Sequence, residues 1–208
     1  MNELAKILDK AVYAFLALNF FWGLYCVIMM WRRLRQLSFR NDKQQTEYVN
    51  GLMQHLQAGQ FDAAAEMSAD DSRGLPQLAA VAIKYRGIGY DPMRQMVSEL
   101  LQRDVLGELD YRSNWIATVI KSGPLLGLFG TVLGMMAAFG RIGTGEKINA
   151  TQIADDISIA LICTAMGLLT AIPFNFLLAS LTIRSRRMQD ALGSGLVRVL
   201  DFFKGHKV

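Results

Sequence analysis

The sequence predicts an all-α integral membrane protein with three transmembrane helices. Two observations carry that fold class. First, the apolar runs 11–31, 115–139 and 157–183 hold a single charged residue between them, Lys121. Each run is long enough to cross a hydrocarbon core of about 30 Å, which takes about 20 apolar residues of helix. Second, lysine and arginine are unevenly spread outside the runs: 11 lie in 32–114 and 6 in 184–208, against 2 in 1–10 and 2 in 140–156. The chain has 208 residues, 52% hydrophobic and 19% charged. Soluble domains average about 25% charged residues. A disordered chain, a collagen-like fibre and a nucleic-acid-binding tail are excluded on this composition.

The expected layout follows in chain order. Residues 1–10 form a short periplasmic N-terminus. Residues 11–31 form the first span, interrupted only by Asn19 and Gly23, with Tyr13 and Trp31 near its ends as interfacial aromatics. A cleaved signal peptide is the competing reading, but its apolar core is usually about 7–15 residues and ends in small residues. Here Trp31-Arg32-Arg33 follows. The positive-inside rule then places 32–114 and the basic tail 184–208 in the cytoplasm and the loop 140–156 in the periplasm. The basic clusters beside spans one and three also suit anionic lipids at the cytoplasmic face.

Segment 32–114 reads as helical. Glu47 to Leu56 fits one helix, and Gln60 to Met67 a second after a turn at Gly59. Asp70, Asp71 and Ser72 offer caps, and Gly74 and Pro76 punctuate before a third helix, Leu78 to Tyr85. Gly87, Gly89 and Asp91-Pro92 close it. Met93 to Leu109 has helical apolar periodicity and is expected to run on into span two, carrying its axis beyond the membrane. No phosphate loop, HExxH or serine–histidine–acid spacing occurs, so no catalytic residues, cofactor or metal site is expected. His55 and His206 read as solvated. Cys26 and Cys163 lie inside apolar runs, which speaks against a disulfide framework or a cysteine zinc site.

Spans two (115–139) and three (157–183) carry small residues at spacings of three and four. Span two has Gly123, Gly127, Gly130, Thr131, Gly134 and Ala138; span three has Ala160, Thr164, Gly167, Ala171 and Asn175. Such faces let helices approach closely in lipid. Packing within one protomer, helix association and a pore lining all remain compatible with them. Spans one and two contain no Asp or Glu, and span three none after Asp156. A proton relay usually needs ionisable groups at depth. If this chain conducts protons, another chain must supply the carboxylate. Asp155 and Asp156 precede span three, either as caps favoured by the helix dipole or as a periplasmic proton-gathering mouth. Lys121 lies near the cytoplasmic end of span two, to snorkel inward or to set the field of a cavity.

GPLLGLFGTVLGMMAAF (123–139), followed by DISIALICTAMGLLTAIPF (156–174), resembles the MotA/TolQ/ExbB proton-channel family, closest to its ExbB/TolQ branch. AGQFDAAAEM (58–67) is similar to a helix-turn-helix of that family. The resemblance implies a homopentamer whose second and third spans line a pore in the bacterial inner membrane. It implies an ExbD/TolR-like single-span partner that brings a membrane aspartate, and a TonB-like or other envelope effector. Ion-motive force would drive rotation about the partner and energise an outer-membrane or envelope process. Thr131 and Thr164 match the family's pore threonines, Gly127, Gly130 and Gly134 its close-packing glycines, and Pro173 its proline; Gly167, on the small face of span three, is expected to serve helix packing as well. Apolar side chains such as Leu133, Met135 or Met136 would close an empty pore. Ile159 departs from a position often occupied by glutamate, and Lys121 from one generally small or apolar. Three spans fit a flagellar-stator-like MotA homologue less well, since those usually have four. The rivals are a non-motor membrane scaffold, and a small transporter, which would show repeats and broken helices.

Overall fold

The computed structural model describes residues 2–69, 71–143 and 150–205. Asp70, Lys147 and His206 lie outside them, as do the side chains of Lys6, Lys10 and Arg141. Among the described residues all regular structure is helical. In order these are α1 (Asn2–Leu37), α2 (Asp42–Gln57), α3 (Phe61–Ala69), α4 (Gly74–Lys84), a 3-10 turn (Arg86–Ile88), α5 (Tyr90–Leu100), a π-helical segment (Leu101–Leu106), α6 (Gly107–Gly143) and α7 (Ala150–Gly205). Three helical stretches are long and apolar enough to cross a membrane: Ala11–Leu37, Tyr90–Gly140 and Thr151–Gly205. The chain divides into two compact units, 1–28 with 113–180, and 29–112 with 181–208.

The first unit is a three-helix bundle of α1, α6 and α7. Its register is legible in the contacts. Asn19 of α1 meets Val119 and Ser122 of α6, while Trp22 stacks edge-on against Trp115 at 5.6 Å, so the two helices run antiparallel. Phe20 meets Phe174 of α7 at 5.6 Å, and the Tyr13 hydroxyl donates to the Ile159 carbonyl, so α1 and α7 run parallel. Val12, Leu16 and Cys163 form a small buried cluster, with Leu126 and Leu133 packed against it. Cys26 and Cys163 are both buried.

In the second unit α2 buries Tyr48, Val49, Leu52 and Leu56 along one stripe at helical spacing. The helix ends in a Schellman motif: Gly59 N–H donates to the Leu56 carbonyl at 3.1 Å and Gln60 N–H to the His55 carbonyl at 2.9 Å. Gly59 takes φ 73°, a conformation that glycine adopts without steric cost. α3 returns against α2, and Tyr48 Oη meets Ser68 Oγ at 2.7 Å. α4 begins earlier than the sequence suggests, with Gly74 and Pro76 inside its first turn and Leu75, Leu78, Ala79, Ala82 and Ile83 buried. Proline costs nothing there, because first-turn N–H groups lack intrahelical acceptors. Asp71 is not a cap. It accepts from Arg73 N–H at 3.0 Å and from Arg73 Nε at 2.8 Å. Burial would raise the Asp71 pKa, but the Arg73 hydrogen bonds and charge outweigh it and hold the carboxyl below its usual range.

α5 passes into α6 through the π segment, where Gly107 N–H reaches the Gln102 carbonyl five residues back. The expected helix over 93–109 thus exists, with one widened turn. Just beyond it, Glu108 receives Arg112 Nη2 at 2.7 Å and pairs with Arg33 Nε of α1 at 2.6 Å. Burial alone would raise the Glu108 pKa, but the Arg112 hydrogen bond and the two positive charges lower it overall. The stabilisation is therefore present above the ordinary glutamate range and is lost as pH falls through the lowered value. We expect Glu108→Gln to cost about 1 kcal/mol or less near neutral pH, as partly exposed pairs do. Thermal melts in detergent check this. The gap between wild type and variant should close on the acid side; a gap independent of pH would refute the assignment.

Candidate functional site

The glycines of α6 lie along its contact with α7. A Cβ at Gly123 would sit 3.1 Å from the Gly167 carbonyl oxygen, and one at Gly127 only 2.8 Å from the Cys163 carbonyl oxygen. At Gly130 it would meet Cys163 Cβ at 2.8 Å, and at Gly134 the Ala160 Cβ at 2.6 Å. From the other side, a Cβ on Gly167 would stand 2.5 Å from the Gly123 carbonyl oxygen. As α6 numbers rise, α7 numbers fall, so the two helices are antiparallel and in backbone contact over three turns. Gly23 does the same for α1, with Val119 at 2.7 Å and Phe174 at 2.9 Å from its missing Cβ.

Thr164 sits in this seam, its Cα 2.9 Å from where a Gly127 Cβ would be. Its hydroxyl is enclosed and makes no hydrogen bond to a described protein atom. Thr131 differs. One turn beyond Gly127, it is half-buried, and its hydroxyl donates to the Leu128 carbonyl at 2.7 Å. Thr170, unremarked in the sequence, is buried and bonds back to the Met166 carbonyl at 2.9 Å. Lys121, Asp155 and Pro173 are exposed on the single chain. Asp156 is half-buried and lines a cavity of about 20 Å³ with Gly130, Gly134, Ile159 and Ala160. That is room for about one water. Leu133 does not face outward for closing a pore, because it packs on the Val12–Leu16–Cys163 cluster. Met135 and Met136 are exposed.

One polar group was visible in the sequence only as an interruption. Asn19 Nδ2 donates to the Val119 carbonyl at 3.2 Å, and Ser122 Oγ donates to Asn19 Oδ1 at 2.8 Å. Pro124 lies two residues further on; it removes the backbone bond to the Ile120 carbonyl, whereas Asn19 serves the Val119 carbonyl. A lone amide in an apolar run is the signal that would have found it. Among the described residues no group of three His, Cys, Asp or Glu is arranged to hold a metal. The seam thus offers hydroxyls, carbonyls and one carboxylate at its edge.

The model of the MotA/TolQ/ExbB proton channel family matches residues 76–193, which include the seam residues of both helices. The chain belongs to this family. Its relatives place it in the ExbB/TolQ branch. It is 36% identical over 86 residues to the Tol-Pal system protein TolQ of Haemophilus influenzae, covering 41% of this chain and 38% of the relative. It is 43% identical over 74 residues to the biopolymer transport protein ExbB of Aquifex aeolicus, covering 34% and 50%. It is 32% identical over 114 residues to ExbB of Neisseria gonorrhoeae, covering 52% and 49%. The matches thus span half or less of these relatives' lengths. Family membership and the three apolar helices make the chain a multi-pass membrane protein of a proton-channel family.

The seam itself is testable. Gly167→Ala drives a methyl into backbone and is expected to destabilise by about 1–3 kcal/mol, the usual cost of overpacking. Gly193→Ala, in the same helix but with nothing within 4 Å, should be neutral or stabilising by about 0.5–1 kcal/mol. Thermal denaturation of the two detergent-solubilised variants checks the contrast, and equal effects would contradict the seam geometry.

Proposed function

We propose that this chain is the pore-forming subunit of an ion-driven machine in the bacterial inner membrane. Protons are the carried ion by analogy with the family description. The subunit assembles as a pentamer, with its N-terminus in the periplasm and its C-terminus in the cytoplasm. It surrounds a single-span partner of the ExbD/TolR kind, rotates about it, and passes work to an envelope effector. The output is transport or energy transfer across the envelope, not enzymatic turnover.

The observation that carries this is the acid inventory. A chain of a proton-channel family has no carboxylate in its apolar runs, the nearest being Asp156 at the head of the third. A titrating group must come from elsewhere, and a partner helix is the simplest source. Thr164, whose hydroxyl makes no hydrogen bond among the described residues, and Thr131 are the polar contacts for that carboxylate. Asp155 and Asp156, with the one-water cavity beside Asp156, form the periplasmic mouth. Lys121 sets the field near the opposite end. One fact favours the scaffold instead: the glycines are consumed by packing inside the protomer, so they leave no small face for a pore.

Co-purification with neighbouring gene products, followed by native mass, separates the two. We expect a pentamer holding two copies of a single-span protein with a membrane aspartate. A stable complex without such a protein supports the scaffold. Thr131→Val and Thr164→Val should each assemble normally. A hydrogen bond to a charged group is worth about 1.5–3 kcal/mol, so each variant should slow energy coupling by about tenfold or more. Coupling at wild-type rate in both removes the role assigned to the threonines.

A further inference from the structure

The second unit contains a cavity of about 730 Å³ into which four arginines converge. Arg35 and Arg40 come from the end of α1 and the turn after it, and Arg184 and Arg187 from α7. Trp31 forms part of the wall, with the Arg35 guanidinium 5.1 Å and that of Arg184 5.5 Å from its ring centroid. No carboxylate lines the cavity, and among the described residues none of the four arginines is in an ion pair. Four like charges sharing one enclosure repel one another, and their guanidinium forks match phosphate geometry.

A generic topology signal does not require this convergence. The same basic clusters contain Arg32, Arg33 and Arg186, and none of these lines the cavity. Arg33 is engaged with Glu108 instead. Arg184 follows directly on the apolar run that ends at Ile183, and Arg35 and Arg187 lie about one helical turn beyond Trp31 and Ile183, with Arg40 further on. That is the depth at which headgroups lie, and Trp31 is the side chain expected there. The wall also carries the exposed Trp31 ring and the half-buried Phe39, apolar surface that a free phosphate has no use for.

We propose that this cavity binds the phosphate headgroup of an anionic glycerophospholipid. The assignment rests on the three helices being membrane spans, and is independent of whether the protein is a motor or a scaffold.

The test uses the full chain, purified in detergent in its native oligomeric state. Dioleoylphosphatidylglycerol or dioleoylphosphatidylcholine is added, and bound lipid is counted by native mass spectrometry. Phosphatidylglycerol should be retained in preference to phosphatidylcholine. Arg35→Gln/Arg187→Gln should weaken that retention by about tenfold, whereas Arg32→Gln/Arg186→Gln, with the same charge loss, should stay within about twofold. If the first pair disturbs folding, Arg35→Lys/Arg187→Lys keeps the charge but loses the fork, and should still weaken retention several-fold. Equal retention of the two lipids overturns the proposal, as does equal loss in both glutamine pairs. Displacement of the lipid by millimolar inorganic phosphate would reassign the site to a soluble anion and overturn the lipid source. A lipid-free oligomer whose arginines pair with acidic residues of a neighbouring copy would overturn it too.

Discussion

The backbone contact between α6 and α7 is the constraint on which the membrane unit depends. In lipid there is no hydrophobic gain from bringing two apolar helices together, so van der Waals contact must hold them. Gly123 against Gly167 and Gly127 against Cys163 bring main chain to main chain, the closest approach two helices can make. α1 is then seated by Gly23 against Val119 and Phe174 and by Val12 and Leu16 against Cys163. Because the small residues are spent inside the chain, its outward faces are large: Leu125, Leu128, Phe129 and Met136 on α6, and Leu169, Ile172 and Phe176 on α7 are exposed. A neighbour that meets these positions, lipid or protein, meets bulky side chains. A second copy would have to interdigitate with them instead of sliding along a smooth seam.

Polar groups inside the unit are placed with the same economy. Asn19 and Ser122 satisfy each other and the Val119 carbonyl. Thr170 and Thr131 each return a hydroxyl to a carbonyl of the preceding turn. Such back-bonding engages the hydroxyl proton within its own helix until a stronger acceptor competes for it. Thr164 is the exception, since its enclosed hydroxyl makes no such bond. A buried donor left unused costs about 1–3 kcal/mol, so it stands out where every comparable hydroxyl is satisfied.

Much of this was legible in the sequence because it follows from length and period. The three long helices came from apolar runs with one charge among them, the α2–α3 turn from Gly59, and the passage of α5 toward α6 from uninterrupted apolar spacing. What was not legible depends on the third dimension. Gly74 and Pro76 look like breakers in a string of letters, yet a first helical turn accommodates both. Asp71 looks like a cap, yet a nearby guanidinium claims it. Leu133 looks like its apolar neighbours, but helix phase turns it onto α1 while Met136 faces out. The convergence of Arg35, Arg40, Arg184 and Arg187 joins residues about 150 positions apart, which periodicity cannot reveal.

The absence of acid from the spans has a physical logic of its own. A carboxylate fixed among the hydroxyls of α6 and α7 would leave each chain with a permanent relay, and a gradient would run down through it whether or not work was done. In α7 the sequence passes from Asp156 to Asp190 with no acid between, and in α6 none follows Asp110 before the end of the apolar run. Threonine hydroxyls can stabilise a carboxylate by hydrogen bonding but do not carry a proton by titration. Moving the titrating group to another chain therefore makes ion passage conditional on that chain's presence and position. On the proposed function, conduction and mechanical engagement are then one event, because the helix that brings the acid is also the helix against which the subunits turn.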